Sequence, residues 1–138
     1  MIRRQNKPME KMKLLFVDDR SKRIHSALKK YGDDYDVVIA PNVPEALRLL
    51  SSQEWDIVSL DFDLDGNDFV DPESKTCAME IVRYFKKTGW PNSRKLPVFI
   101  IHSSNSFGAE MLASALKDYF SGATEIETTR YEYIEGEQ

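Results

Sequence analysis

The stretch Lys13–Ala40, KLLFVDDRSKRIHSALKKYGDDYDVVIA, decides the fold. Lys13–Asp18 (KLLFVD) is a short apolar run ending in carboxylates, the pattern of a strand buried on both faces. A helix follows at once. Ser21 is its expected N-cap, Ile24, Leu28 and Tyr31 recur at helical spacing, and Gly32 is the expected stop. Tyr35–Ala40 (YDVVIA) then reads as a second strand, so the stretch is one strand–helix–strand unit of a parallel sheet.

The same alternation continues toward the C-terminus. Asn42 and Glu45 have capping-box spacing, and Ala46, Leu47, Leu49 and Leu50 form the apolar face of a second helix. Asp56–Asp61 (DIVSLD) reads as a third strand, Phe62–Ser74 as a loop rich in Asp and Gly, and Lys75–Thr88 as a third helix carrying Ala78, Ile81, Val82 and Phe85. Gly89 and Pro91 terminate it. Pro97–His102 (PVFIIH) is the fourth strand, Ser103–Ser106 a polar link, and Phe107–Phe120 a helix with Met111, Leu112, Ala115, Leu116 and Tyr119 inside. Ala123–Thr128 is expected to make a fifth strand. The last ten residues are too short and too charged for another full helix. Nearly wholly apolar strands alternating with helices predict an α/β, doubly wound parallel five-stranded sheet.

The chain has 138 residues, 41% hydrophobic and 30% charged, which fits one domain able to bury a core without disulfides. Cys77 is the single cysteine, no apolar run approaches the roughly 20 residues that span a bilayer, and the basic start lacks a secretory signal. A cytoplasmic protein is the expectation. A net charge of −4 gives no general attraction to nucleic acid or to an anionic membrane. Residues 1–12 read as a basic segment, 13–128 as the domain and 129–138 as an acidic tail.

In an open parallel sheet, ligands collect beyond the carboxyl ends of the strands. Asp18 and Asp19 end the first strand, Asp61 ends the third with Asp63 just beyond, and His102, Ser103 and Asn105 end the fourth. Carboxylates converging from separate strands repel one another unless a cation is present, and hard oxygen donors suit Mg²⁺ or Mn²⁺. Each residue also has a plainer reading: Asp18 and Asp19 as turn residues at a helix N-terminus, His102 bonded to a backbone carbonyl, Ser103 and Asn105 as cap and turn residues. Their joint placement at three strand ends favours the functional one.

Asp61, Asp63, Asp65 and Gly66 also match the first half of an EF-hand loop. The twelfth position is Pro72 instead of a bidentate Glu, with Glu73 one place late, and a strand precedes the loop, so that reading fails. Phosphate-cradling glycine loops and zinc patterns are missing from the sequence. Cys77 reads as a buried structural thiol in the third helix, His25 as a surface residue and Trp55 as a packing residue.

From Lys13 to Thr128 the chain resembles a receiver domain of the response-regulator type. Asp18 and Asp19 match that family's acidic pair and Asp61 its phosphoacceptor aspartate. The resemblance implies a flavodoxin-like strand order of 2-1-3-4-5, with Mg²⁺ (or Mn²⁺) held by the three carboxylates while Asp61 attacks a phosphoryl donor. Departures follow. His102 falls where the family has Thr or Ser, the Lys-Pro after strand five has no counterpart in Thr124–Thr129, Arg130 is the only nearby cation, and the fifth helix is missing. LDFDL at Leu60–Leu64 and HSSN at His102–Asn105 more closely resemble the cyclic-phosphate-processing receiver-like branch.

Three functions remain open. The first is a metal-dependent phosphodiesterase or phosphate-processing hydrolase, with Asp61 and His102 catalytic, Ser103 and Asn105 on phosphate, and Asp18, Asp19, Asp61 and Asp63 on the metal. The others are a phosphoacceptor receiver in signalling and a non-catalytic binding module. The expected partners are a phosphate-containing small molecule or phosphodonor, and a protein or second copy over the sheet face that lacks a fifth helix.

Overall fold

The computed structural model describes residues 10–64, 71–91, 94–103, 105–120 and the backbone of 126–130. Strands β1 (Met12–Val17), β2 (Tyr35–Ala40), β3 (Ile57–Leu60), β4 (Val98–Ser103) and β5 (Ile126–Arg130) alternate with helices α1 (Ser21–Tyr31), α2 (Val43–Ser52), α3 (Met79–Thr88) and α4 (Ser106–Tyr119). All four strand pairings are parallel, and the sheet order is β2-β1-β3-β4-β5. The expected doubly wound, flavodoxin-like sheet is therefore the fold.

Alternation along β1 sends side chains to both faces. Leu14 and Phe16 pack with Ala27 of α1, whereas Leu15 and Val17 join the larger core under α2, α3 and α4 with Val58, Leu60, Phe99 and Ile101. Among the described residues only α1 covers the first face. Residues 131–138, on which the expected absence of a fifth helix bears, lie outside the described residues, as do most of the basic segment and Asp65 and Gly66 of the EF-hand-like stretch. No described helix is long and apolar enough to cross a membrane.

Several local expectations are corrected. Ser21 is the first helical residue and Arg20 takes the N-cap without a side-chain cap, because Asp18 Oδ1 already accepts the Arg20 N–H at 3.0 Å and closes the turn. Gly32 ends α1 in a right-handed conformation (φ −62°), unlike Gly89 after α3 (φ 84°). Leu28 is exposed instead of facing the core. Residues 75–78 are not helical: Asp71 Oδ1 accepts the Glu73 N–H, Ser74 bonds Thr76, and such local side-chain bonds compete with the helix ladder. Cys77 therefore precedes α3, buried and bridged to Asp63, and burial pushes its thiol up to about 11. β5 (Ile126–Arg130) runs two residues past the expected end at Thr128, with Arg130 aligned with Ser103, and the expected start at residues 123–125 lies outside the described residues.

Asn42 caps α2 as expected, its Oδ1 accepting the Glu45 N–H at 2.9 Å, but the Glu45 carboxylate turns to Arg48 instead of closing the box. Asn42→Ala is expected to cost about 1 kcal/mol in urea unfolding at unchanged m. Trp55 packs as expected, its indole N–H donating to Leu49 O at 2.9 Å.

Candidate functional site

β1 and β3 stop just before their carboxylates, whereas β4 carries its polar residues His102 and Ser103 as its last two positions. Asp18 and Asp61 lie one residue past β1 and β3, their N–H groups still paired to Ala40 O and Val17 O at 3.1 and 3.0 Å. Backbone pairing thus fixes both carboxylates side by side. Oxygens of Asp18, Asp19 and Asp61 lie within 4.8 Å of one another; Asp18 and Asp61 are buried, and Asp19 is half-buried.

His102 leans across from β4. Its Nε2 stands 3.0 Å from Asp18 Oδ2, its Nδ1 lies 2.7 Å from Ser59 Oγ, and its ring stacks on Phe16 with centroids 4.4 Å apart. An ionised carboxylate only accepts, so Nε2 carries the proton; in the neutral ring Nδ1 then accepts from the Ser59 hydroxyl. Asn105 performs two tasks at the start of α4: its Oδ1 accepts the Gly108 N–H at 3.0 Å and its Nδ2 donates to Asp63 Oδ2 at 3.3 Å. Ser103 Oγ accepts the Asn105 N–H at 3.1 Å and also hydrogen-bonds Asp61. The DFDL and HSSN segments are thus joined through Asn105 and Asp63, while His102 reaches Asp18 beside Asp61.

The profile of the cyclic-phosphate processing receiver domain matches residues 13–118. The chain belongs to that family. Solved structures similar to this receiver domain include a response regulator from Burkholderia pseudomallei with a phosphorylated aspartic acid, a calcium ion and citrate (TM-score 0.57, 18% identity, covering 88% of this chain and 61% of that one). The receiver domain of the Francisella response regulator 1452 is similar at TM-score 0.57 and 20% identity over 88% of this chain and 86% of its own. The non-phosphorylated HemR receiver domain from Leptospira biflexa is similar at TM-score 0.58 and 19% identity over 88% and 85%. At these identities the likeness establishes the receiver fold. A comparison with curated proteins gives no match.

Electrostatics separate the two buried carboxylates of this receiver. Burial raises the Asp18 pKa, but the hydrogen bond and charge of His102, the Arg20 N–H and the charge of Arg23 outweigh it, holding the carboxyl below its usual range. Burial and then the Asp18 charge push Asp61 up to about 8, against the pull of Arg23 and Ser103.

Three participants were not singled out from the sequence. Arg23 of α1 is only 4% exposed; its Nε lies 2.9 Å from Asp18 Oδ2 and its Nη2 3.1 Å from Asp61 Oδ2. Beside Lys22 on a charged helix it looks like one more surface cation. The available signal was its place five residues after Asp18, where the first turn of α1 returns over the end of β1. Ser59 and Phe16, which hold His102, looked like ordinary strand residues. Asp63 stands with Asn105 and Cys77, while the compact cluster of carboxylates among the described residues is Asp18, Asp19 and Asp61.

The donor set fits a hard divalent cation. Three carboxylates with clustered oxygens supply hard ligands and leave positions for water or phosphate oxygens, as Mg²⁺ prefers.

Proposed function

We propose that this receiver domain binds phosphate esters at the Asp18–Asp19–Asp61 cluster and hydrolyses cyclic phosphodiesters there. The observation that carries the reading is the meeting of the two family motifs around that cluster, with His102 on Asp18 and Asn105 on Asp63. Asp18, Asp19 and Asp61 would hold Mg²⁺ or Mn²⁺, which when bound supplies positive charge for a phosphoryl oxygen; Asp63 completes the acidic rim. Ser103 and the first turn of α4 offer hydroxyl and N–H donors to the remaining phosphate oxygens. Water attacks phosphorus and one ring P–O bond breaks; His102, carrying a proton on each ring nitrogen, passes its Nε2 proton to the departing oxygen and is reprotonated by the proton lost from the attacking water.

Phosphorus NMR of cyclic phosphodiesters with Mg²⁺ tests this. Wild type should convert the cyclic ester to a monoester, and His102→Ala should slow turnover by about 10²–10⁴-fold. Unchanged turnover in the variant would remove His102 from the mechanism. A second reading, phosphorylation of Asp61, is favoured by its place at the end of β3 and by the phosphorylated aspartic acid in the similar Burkholderia structure. It predicts that a small phosphodonor adds one phosphoryl group by mass, lost in Asp61→Asn, without turnover of cyclic esters.

A further inference from the structure

Asp18 is fully occupied by the protein's own donors. Its Oδ1 takes the Arg20 N–H at 3.0 Å and faces Arg23 Nη2 at 3.5 Å; its Oδ2 takes His102 Nε2 at 3.0 Å and pairs with Arg23 Nε at 2.9 Å. A carboxylate has about four lone-pair directions, so each oxygen already carries two polar contacts. A cation can reach Asp18 only if one of these donors gives way. The Arg20 N–H is fixed by the backbone, and His102 is fixed by its stack on Phe16 and its bond to Ser59. Arg23 reaches Asp18 through a long, flexible side chain whose head group can swing toward the surface while its stem stays packed. It is also the donor that bridges Asp18 to Asp61, across the space where the oxygens cluster.

We propose that Arg23 is a tethered cation that occupies the carboxylate cluster in the metal-free state and is expelled when a divalent ion binds. The inference rests on the reading of Asp18 and Asp61 as metal ligands. One guanidinium offsets part of the repulsion between two buried carboxylates, a task the incoming ion takes over with twice the charge. Ion binding and Arg23 release are therefore linked, and the cost of breaking the two ion pairs is subtracted from metal affinity. The domain would then have two forms, latched by Arg23 or loaded with metal, and the position of α1's first turn would report which is present.

Calorimetric titration with Mn²⁺ alone, comparing wild type, Arg23→Met and Arg23→Lys, tests the latch. Arg23→Met should bind Mn²⁺ on the order of tenfold more tightly, with Arg23→Lys between, since an ammonium keeps the charge but loses the two-armed bridge. Equal or weaker binding by Arg23→Met overturns the proposal while leaving the metal site standing. Binding by neither protein up to millimolar Mn²⁺ overturns both. Wild type supplies a readout independent of any variant: the Arg23 Nε–H resonance should move toward the position of exposed arginines as diamagnetic Mg²⁺ is added. A resonance that stays in place at saturating Mg²⁺ overturns the proposal even if Arg23→Met fails to fold.

Discussion

Asp61→Asn is expected to stabilise the protein in chelator at pH 8, by roughly 1–3 kcal/mol, a gain of several degrees in melting temperature. In the folded protein Asp61 is pushed up to about 8 by burial and the Asp18 charge, whereas in the unfolded chain it titrates as an ordinary carboxylate near 3.8. Its contribution to stability is therefore full below the unfolded value and is lost as pH rises through 8, where the folded state must ionise a buried group beside another anion. Asn keeps the shape and removes the titration, so the advantage of the variant should shrink steadily as pH falls toward 4. Asp18 has the opposite sign. Its lowered pKa stabilises the fold above the usual carboxylate range and is lost in acid, so wild type should be weakened at both ends. Added Mg²⁺ should reverse the ranking, since the ion stabilises only a protein that binds it. Scanning calorimetry with and without Mg²⁺ across pH decides the matter: a variant less stable than wild type in chelator at pH 8 would mean that the Arg23–Asp61 pair outweighs the cost of burying both charges.

Gly108→Ala should destabilise the domain by about 1–3 kcal/mol, although Gly to Ala within a helix ordinarily stabilises. A Cβ at position 108 would lie 2.5, 2.7 and 2.8 Å from three ring carbons of Phe62, the residue between Asp61 and Asp63. Phe62 is fully buried and its carbonyl accepts the Ala78 N–H at 3.1 Å, so the ring has nowhere to go without disturbing the segment that carries both carboxylates. If α4 moves instead, it pulls on the Gly108 N–H held by Asn105 and through it on Asp63. Either way the strain reaches the site, and chemical shifts of Asp61 and Asp63 should change along with stability. A smaller partner should relieve it: in Phe62→Leu the added penalty of Gly108→Ala should fall markedly, a coupling that a double-mutant cycle reads directly. Additive losses would mean that the close approach is not what makes glycine necessary there.

What the sequence determined by itself was local. Apolar runs of strand length between helical faces set the alternation, and the register of those runs set which polar residues come first beyond the strand ends. Asp18, Asp61 and His102 were therefore legible, because a strand exposes its first polar residue at the sheet's edge whatever the rest of the chain does. Residues 75–78, expected to be helical, are not, because local Asp and Ser bonds just before them outweigh a weak helical pattern. The partners of the site residues were decided only by tertiary structure. Arg23 meets Asp61 across 38 positions, and His102 meets Asp18 across 84. The one local mark Arg23 carries is its place five residues after Asp18; its burial follows from α1 packing over β1 where two carboxylates already stand. The Asp61 pKa and the demand for glycine at 108 have the same origin. Each depends on how closely distant segments approach, and that distance is a property of the packed sheet and its helices, which no run of neighbouring residues encodes.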